Sequence, residues 1–290
     1  MADRRRCLLT VHAHPDDESS KGAGTIAKYH ADGVRTVLVC CTGGEEGDIL
    51  NPAMDRPEVR ENLAQVRRDE LAAAADIIGY DDVQYLGYRD SGMPESEANA
   101  RPDAFANAPL DEAVGRLVAI IRRERPQVVV TYGDDQKGYP HPDHLRVYDI
   151  SMPAVARAAD PEWYPEAGPV HQVSKVYFTV WSRKRMVSMH EKFLELELES
   201  PFGEDWFSRP SNDDRITTVV PLGEYGDVRW GALMAHATQC DPTNPFWFGL
   251  PRDVAAALHP WDEYILAQSV VDGDESTGDL FAGVPDDVSA

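Results

Sequence analysis

Two short motifs of histidine and aspartate lie at the ends of apolar segments of the chain. The first, His-Pro-Asp-Asp-Glu, occupies residues 14–18 and follows residues 7–13; the second, His-Pro-Asp-His, occupies residues 141–144 and follows residues 128–132. Imidazole nitrogens and carboxylate oxygens are ligands that Zn²⁺ accepts, and a catalytic zinc site uses three of them and leaves a position for water. A structural site would be closed by four protein ligands, usually including cysteine. The motifs therefore predict a metal centre that activates water.

The elements that must position these motifs alternate between strand and helix. Apolar runs predict strands at residues 7–13, 36–42, 83–86, 128–132 and 176–181. Helical spacing of apolar residues predicts helices at residues 24–31, 58–78, 110–123 and 183–199. This order is typical of an α/β protein with a mostly parallel, Rossmann-like sheet and helices on both faces. Ligands of such sheets bind beyond the carboxyl ends of the strands, so we expect the two motifs to converge.

The pattern divides the chain into three parts. Residues 1–150 are predicted to form the α/β metal-binding core. Residues 151–271 contain all six tryptophans, set among prolines and glycines, and we expect them to form a C-terminal capping region that walls the cleft of the same catalytic unit. Residues 272–290 contain six acidic residues and neither lysine nor arginine, which predicts an acidic, disordered tail.

Composition excludes several classes of partner. The chain has 28 basic and 50 acidic residues and a net charge of −22, which argues against nucleic acid and anionic membranes as partners. Its apolar stretches are shorter than the ~20 residues of a membrane span, and no signal peptide is expected after the basic residues 1–6. Four cysteines do not form a disulfide framework at this length, so we expect a cytoplasmic protein. A monomer and a homo-oligomer are both compatible with the sequence.

The two motifs, together with Arg-Asp-Ser-Gly-Met at residues 89–93, resemble the LmbE-like (PIG-L) zinc deacetylase family over about residues 6–270. Within it the chain is most similar to the actinobacterial mycothiol enzymes. The resemblance implies a zinc-dependent amidase that cleaves a small-molecule sugar-inositol thiol conjugate, a mycothiol S-conjugate, to a mercapturate and glucosaminyl-inositol. One alternative is deacetylation of N-acetylglucosaminyl-inositol. Another is a metal-holding carbohydrate-binding module without turnover, against which a base and an acid in the motifs argue.

The resemblance assigns the metal ligands to His14, Asp17 and His144, with one Zn²⁺ per chain and Fe²⁺ as an alternative. Asp16 matches the general base of the family, because the side chains of adjacent residues diverge and Asp16 cannot easily bind the same ion as Asp17. Zinc lowers the pKa of a bound water to about 7, so a nearby carboxylate can accept its proton.

The second motif is expected to supply the acid of the reaction. His141 matches a family histidine that, as an imidazolium, stabilises the oxyanion or protonates the leaving amine. Asp143 is expected to orient His141 and raise its pKa. Tyr139 matches a mobile tyrosine whose hydroxyl donates to the tetrahedral intermediate.

Four residues are expected to contact substrate. Arg68 is the candidate for the inositol moiety, and Asp90 and Glu46 are candidates for sugar hydroxyls. Lys21 is typical of the amidase branch, where a cation can engage the larger acyl group, although a solvated lysine is the plainer interpretation.

Three further polar residues have plainer interpretations. Glu18 is expected to cap a helix or support the ligands, His12 to be a core histidine or a support, and His236 to have a packing role.

Overall fold

The protein is described by a computed structural model that covers residues 6–136 and 138–285. Its strands are β1 (Cys7–His12), β2 (Arg35–Thr42), β3 (Asp82–Tyr88), β4 (Val128–Thr131), β5 (Lys175–Val180), β6 (Thr218–Pro221) and β7 (Trp261–Ser269). Its α-helices are α1 (Asp17–Ser20), α2 (Ala23–Ala31), α3 (Pro57–Glu61), α4 (Leu63–Ile78), α5 (Leu110–Glu124), α6 (Pro142–Ala158), α7 (Arg183–Glu195), α8 (Glu204–Ser208), α9 (Val228–Ala235), α10 (Pro245–Phe248) and α11 (Arg252–Leu258). The expectations about a signal peptide at residues 1–5 and disorder at residues 286–290 concern residues outside the described ranges.

The strands form one sheet in the order β3-β2-β1-β4-β5-β7-β6. The first five strands of this order are parallel, whereas β7 pairs antiparallel with both β5 and β6. The chain runs outward from β1 to β3 on one side and from β4 to β5 on the other, so the strand order reverses between β1 and β4. Open parallel sheets bind ligands beyond the carboxyl ends of the strands at such a switch point. The prediction of a mostly parallel α/β sheet is confirmed.

Helices cover both faces of the sheet. Successive residues of β1 point to opposite faces, so Leu9 packs with residues of α5 and α6, whereas Leu8 packs with residues of α2, α4 and α9. Complete burial of one such side chain stabilises the fold by roughly 1.5–3 kcal/mol. Because β1 is buried on both faces, the loop that follows it starts from a fixed strand end.

A third apolar cluster lies beside the carboxyl end of β5. It combines the buried Met186, Phe193, Phe202 and Leu250 with half-buried aromatic side chains from the segments around α7, α8 and α10. Within the described part of the chain, no helix combines the length and apolarity that crossing a membrane requires.

Three regions after residue 140 differ from the sequence predictions. Helix α6 was not predicted because Pro142 and Pro153 interrupt the pattern; Pro142 occupies the first turn, where proline is tolerated, and Pro153 lies inside the helix. The antiparallel strands β6 and β7 were not predicted either. The helix predicted at residues 183–199 ends at Glu195, and Glu197 has a φ of 56°.

The prediction of a disordered tail is wrong for residues 272–285. Leu280, Phe281 and Val284 are buried in the cluster that also contains Leu8 and Tyr29. The hydroxyl of Tyr29 accepts a hydrogen bond from the backbone of Leu280 at 2.7 Å. The prediction of disorder rested on the number of acidic residues and did not consider these three apolar side chains. Their burial stabilises the ordered conformation of the segment.

Candidate active site

The two histidine-aspartate motifs meet at the switch point of the sheet. The first follows β1, and the second follows β4 and opens α6. His14, Asp17, His141 and His144 line one cleft of about 670 Å³. The convergence of the motifs, predicted from their place at strand ends, is thus observed.

His14, Asp17 and His144 present a donor set of two imidazole nitrogens and one carboxylate oxygen, all within 4.8 Å of one another. Oδ2 of Asp17 lies 3.4 Å from Nδ1 of His14 and 3.4 Å from Nε2 of His144. Donors that are each 2.0–2.1 Å from a tetrahedral Zn²⁺ are about 3.3–3.4 Å apart. The residues therefore fit a zinc ion. His14, Asp90 and His141 form a second group of donors within 4.8 Å.

The ionisation of Asp17 suits a metal ligand. Burial raises the pKa of Asp17. The charges of Lys21 and His144, together with a hydrogen bond from His14, outweigh this effect and hold the pKa well below its ordinary value. Nζ of Lys21 pairs with Oδ1 of Asp17, and Oδ2 faces the two histidines. Lys21 also lines the cleft, and its influence on substrate choice stays a prediction.

The carboxylate of Asp143 does not contact His141, and this part of the prediction is wrong. Oδ2 of Asp143 lies 3.1 Å from Nε2 of His14 and accepts a hydrogen bond from the backbone of Ser91 at 2.9 Å. The Ser91 hydroxyl donates to the other oxygen of Asp143. A carboxylate on the far nitrogen of a metal-binding histidine fixes its tautomer, so the position of Asp143 suits support of His14.

His141 is oriented by the backbone of Asp143 instead. The N–H of Asp143 donates to Nδ1 of His141 at 3.2 Å, as the first turn of α6 begins. Burial, with the nearby His14 and His144, lowers the pKa of His141 to about 4. The charge of Asp143 raises this pKa, as expected, but burial outweighs its effect. Since Nδ1 accepts, the proton of the neutral ring resides on Nε2, and His141 is a neutral donor at pH 7.

Asp16 adopts an unusual backbone conformation beside the ligands. Its φ is 110°, in the region that favours glycine. Its Oδ2 accepts a hydrogen bond from Arg67 at 2.8 Å, and its backbone N–H donates to Glu18 at 2.9 Å. Desolvation raises the pKa of Asp16, and the Arg67 guanidinium opposes this effect. Asp16 therefore lies in the cleft with one carboxyl oxygen held by Arg67.

Of the two adjacent arginines on α4, Arg67 lines the cleft and Arg68 does not, so the prediction of Arg68 for this role is wrong. Arg67 is buried, and its guanidinium also donates to the carbonyls of Pro15 at 2.5 Å and Gly44 at 2.6 Å. Arg68 is exposed on α4 and bonds to Ala64, one turn earlier. Arg67 lies four residues before the buried Leu71, so the helical period contained the signal.

Glu46 and Asp90 line the cleft as expected, but both have partners within the protein. Glu46 forms an ion pair with Arg89. Asp90 accepts hydrogen bonds from the backbones of Gly92 at 2.8 Å and Glu46 at 3.3 Å, and its Oδ1 lies 3.5 Å from Nε2 of His14. Contacts of these residues with substrate stay predictions.

Tyr139 lies at the mouth of the cleft. Its side chain is 54% exposed, and its ring centroid is 5.3 Å from that of His144 and 6.0 Å from that of His141. A half-exposed tyrosine ring beside both imidazoles is positioned to meet a ligand that enters the cleft.

Four aromatic side chains line the far side of the cleft, and sequence analysis did not name them as individual site residues: Trp181, Trp206, Phe246 and Trp247. Their ring centroids lie 4.7–6.0 Å from one another in the contacting pairs, with Trp181 stacked on Phe246 and Trp247 edge-on to both. We call this set the aromatic wall. The concentration of tryptophan after residue 180 was its only sequence signal.

The remaining polar candidates are buried near the site. His12 is fully buried, its Nδ1 lies 3.4 Å from the Tyr132 hydroxyl, and burial lowers its pKa to about 4. His236 is paired with Glu18 at 2.7 Å, so its role is not packing alone. Cys240 is buried, and burial raises the pKa of its thiol.

Comparison with known proteins agrees with this geometry. Residues 9–155 match the family model PIG-L, described as GlcNAc-PI de-N-acetylase. The chain is 45% identical over 296 residues to the mycothiol S-conjugate amidase of Streptomyces coelicolor, covering 99% of both chains. It is 40% identical over 298 residues to the 1D-myo-inositol 2-acetamido-2-deoxy-alpha-D-glucopyranoside deacetylase of Streptomyces avermitilis, covering 98% of both.

Among solved structures, the N,N'-diacetylchitobiose deacetylase from Pyrococcus horikoshii superposes with a TM-score of 0.63 at 19% identity, over 91% of this chain and 84% of that one. This likeness supports the fold. With a family model that covers half of the sequence and full-length relatives at 40–45% identity, the chain belongs to the PIG-L family.

Proposed function

We propose that the protein is a zinc-dependent amidase that hydrolyses mycothiol S-conjugates to a mercapturate and glucosaminyl-inositol. Hydrolysis of an amide bond is the activity common to its relatives, which are named as an amidase and as deacetylases. The choice of the larger substrate rests on how the two sides of the cleft differ.

His14, Asp17 and His144 would hold the metal, and their donor spacing of 3.4 Å supports this assignment. A bound Zn²⁺ would polarise the amide carbonyl and lower the pKa of water. The same donors suit Fe²⁺, and metal analysis of protein purified under anaerobic conditions distinguishes the two ions.

The side chains around the ligands supply the proton transfers. Asp16 accepts a proton from the water whose oxygen adds to the carbonyl carbon; Arg67 holds its Oδ2, which leaves Oδ1 for the water. The Nε2–H of His141 and the hydroxyl of Tyr139 are donors for the developing oxyanion. As the C–N bond breaks, the amine nitrogen takes the proton that Asp16 accepted from the water, and His141 remains a neutral hydrogen-bond donor.

The observation that carries the choice of substrate is the strand order. Glu46 follows β2 and Asp90 follows β3, so these polar groups flank one side of the switch point; Trp181 follows β5 on the other side. An amide at the switch point can thus place a sugar-inositol over polar groups and its acyl group against the aromatic wall. An S-substituted cysteinyl group fills that space, whereas an acetyl group leaves it empty.

The competing function is deacetylation of N-acetylglucosaminyl-inositol. It is favoured by the relatives at 36–40% identity that carry the deacetylase name. Both reactions use the same reacting groups, so the proposal is decided by relative rates.

The test compares kcat/KM of the metal-loaded protein for a mycothiol conjugate with an aromatic S-substituent and for N-acetylglucosaminyl-inositol. We expect the conjugate to be the better substrate.

Trp247→Ala should lower kcat/KM for the conjugate about tenfold, through lost aromatic contact, and leave deacetylation within about twofold. Trp163→Ala is the matched control, because Trp163 is exposed and lies outside the cleft. A better rate on the acetylated sugar, or equal effects of Trp247→Ala on both substrates, would contradict the proposal.

A further inference from the structure

Asp16 needs support from its surroundings. A non-glycine residue with a φ of 110° carries strain of order 1–3 kcal/mol and persists only where neighbouring groups hold it. Arg67 holds the carboxylate, at 2.8 Å from Oδ2. The backbone is held separately, because the N–H of Asp16 donates to Oε2 of Glu18 at 2.9 Å.

Glu18 is in turn held by a residue from the other end of the chain. Its Oε1 lies 2.7 Å from Nε2 of His236, and both side chains are completely buried. A buried carboxylate without a partner is costly, and Oε1 of Glu18 is held by His236 and by the hydroxyl of Ser19. The result is a connected path from His236 through Glu18 to the backbone of Asp16.

His236 belongs to the turn after α9, and hydrogen bonds attach this turn to two other segments that line the site. Thr238 donates through its backbone and its hydroxyl to Glu70 of α4, at 2.8 Å and 2.6 Å. The carbonyl of Thr238 accepts from the backbone of Leu50 at 2.8 Å. The turn after α9 is therefore fixed to α4, which carries Arg67, and to the loop after β2.

We infer that Glu18 and His236 are positioning residues that set the orientation of Asp16. This inference rests on the proposed function, in which Asp16 is the general base. A positioning role makes a prediction that a purely structural ion pair does not. The rate of the chemical step should depend on a hydrogen-bond donor at the position of Nε2 of His236. Substrate binding and metal content should not depend on it.

Two amide substitutions separate these roles. In His236→Gln the amide nitrogen is as many bonds from Cα as Nε2 is, so it can reach Glu18. In His236→Asn it corresponds to Nδ1 and cannot. We expect His236→Gln to keep kcat within about threefold and His236→Asn to lose about 10- to 100-fold, since a displacement near 1 Å costs up to about 10²-fold. KM, zinc content and Tm should be similar in the two variants.

A double-mutant cycle tests whether His236 acts through Asp16. In the Asp16→Asn background the base is absent, so adding His236→Asn should cause no further fall in kcat. His171→Asn is the control for the loss of a buried histidine, because His171 is bonded to the carbonyl of Pro126, at the opposite end of the sheet. It should leave kcat unchanged.

Each result supports or overturns the inference. Equal losses of kcat, zinc or soluble protein in the Gln and Asn variants would show a structural pair only, and so would additive losses in the cycle. Failure of the proposed function has a different signature: the unmodified protein would not hydrolyse the conjugate, or Asp16→Asn would retain its full rate.

Discussion

Oδ2 of Asp143 lies 3.1 Å from Nε2 of His14, and this contact leaves Nδ1 of the same ring facing Asp17. Asp143 thus joins the two motifs directly, although 129 residues separate it from His14. Its carboxylate therefore orients the proposed metal ligand His14 and does not act on His141.

Asp143→Asn should weaken zinc binding, because the carboxylate that fixes the tautomer of His14 is lost. We expect a 10- to 100-fold higher Kd for zinc, the usual effect of removing such a partner. Competition with a chelator measures it. Asp149→Asn, an exposed change on the same helix, is the control. An unchanged Kd in Asp143→Asn would refute this role.

Substitutions of Asp16 and Asp17 should have different effects on zinc content and on turnover. Asp17→Ala removes one of three ligands, so zinc content and turnover should fall together. Asp16→Asn should retain zinc and lose about 10²–10⁴-fold in kcat, the usual contribution of a general base. Metal analysis and steady-state kinetics on the same preparations provide the test. Parallel loss of zinc in both variants would show that the roles are not divided.

Arg67 and Arg68 form a matched pair of adjacent arginines. Arg67→Met should lower kcat/KM about ten- to a hundredfold, because a charged hydrogen bond worth roughly 1.5–3 kcal/mol is lost at Asp16. Arg68→Met should change it less than twofold, since Arg68 is exposed. Similar losses in both variants would mean that the orientation of α4 differs from the one described.

Phe281→Ala should destabilise the protein by about 3–5 kcal/mol, the usual cost of truncating a buried phenylalanine. Urea unfolding measures the change. Leu196→Ala removes a partly exposed apolar side chain and should cost about 0.5 kcal/mol or less. An effect of Phe281→Ala as small as this control would restore the prediction of a disordered tail.

Features that depend on neighbouring residues were predictable from the sequence, whereas contacts between distant segments were not. The ends of β1 and β4 and the motifs that follow them are local patterns, so their convergence was predictable. The spacing of Arg67 from Leu71 also places Arg67 on the buried face of α4, whereas the sequence prediction named the exposed Arg68. The pairing of β7 between β5 and β6, and the contact of His236 with Glu18, join segments far apart in the chain. No local period specifies such pairs.

The long span between Glu18 and His236 has a consequence for synthesis. The two residues are separated by 218 positions, which a ribosome translates in about 11–44 s at 5–20 residues per second. During that interval β1 to β5 can pair, but the backbone of Asp16 lacks its second support. We therefore expect nascent chains that end before the turn after α9 to hydrolyse the amide at least about 10- to 100-fold more slowly than the full chain, even when they contain the whole segment 9–155 that matches the family.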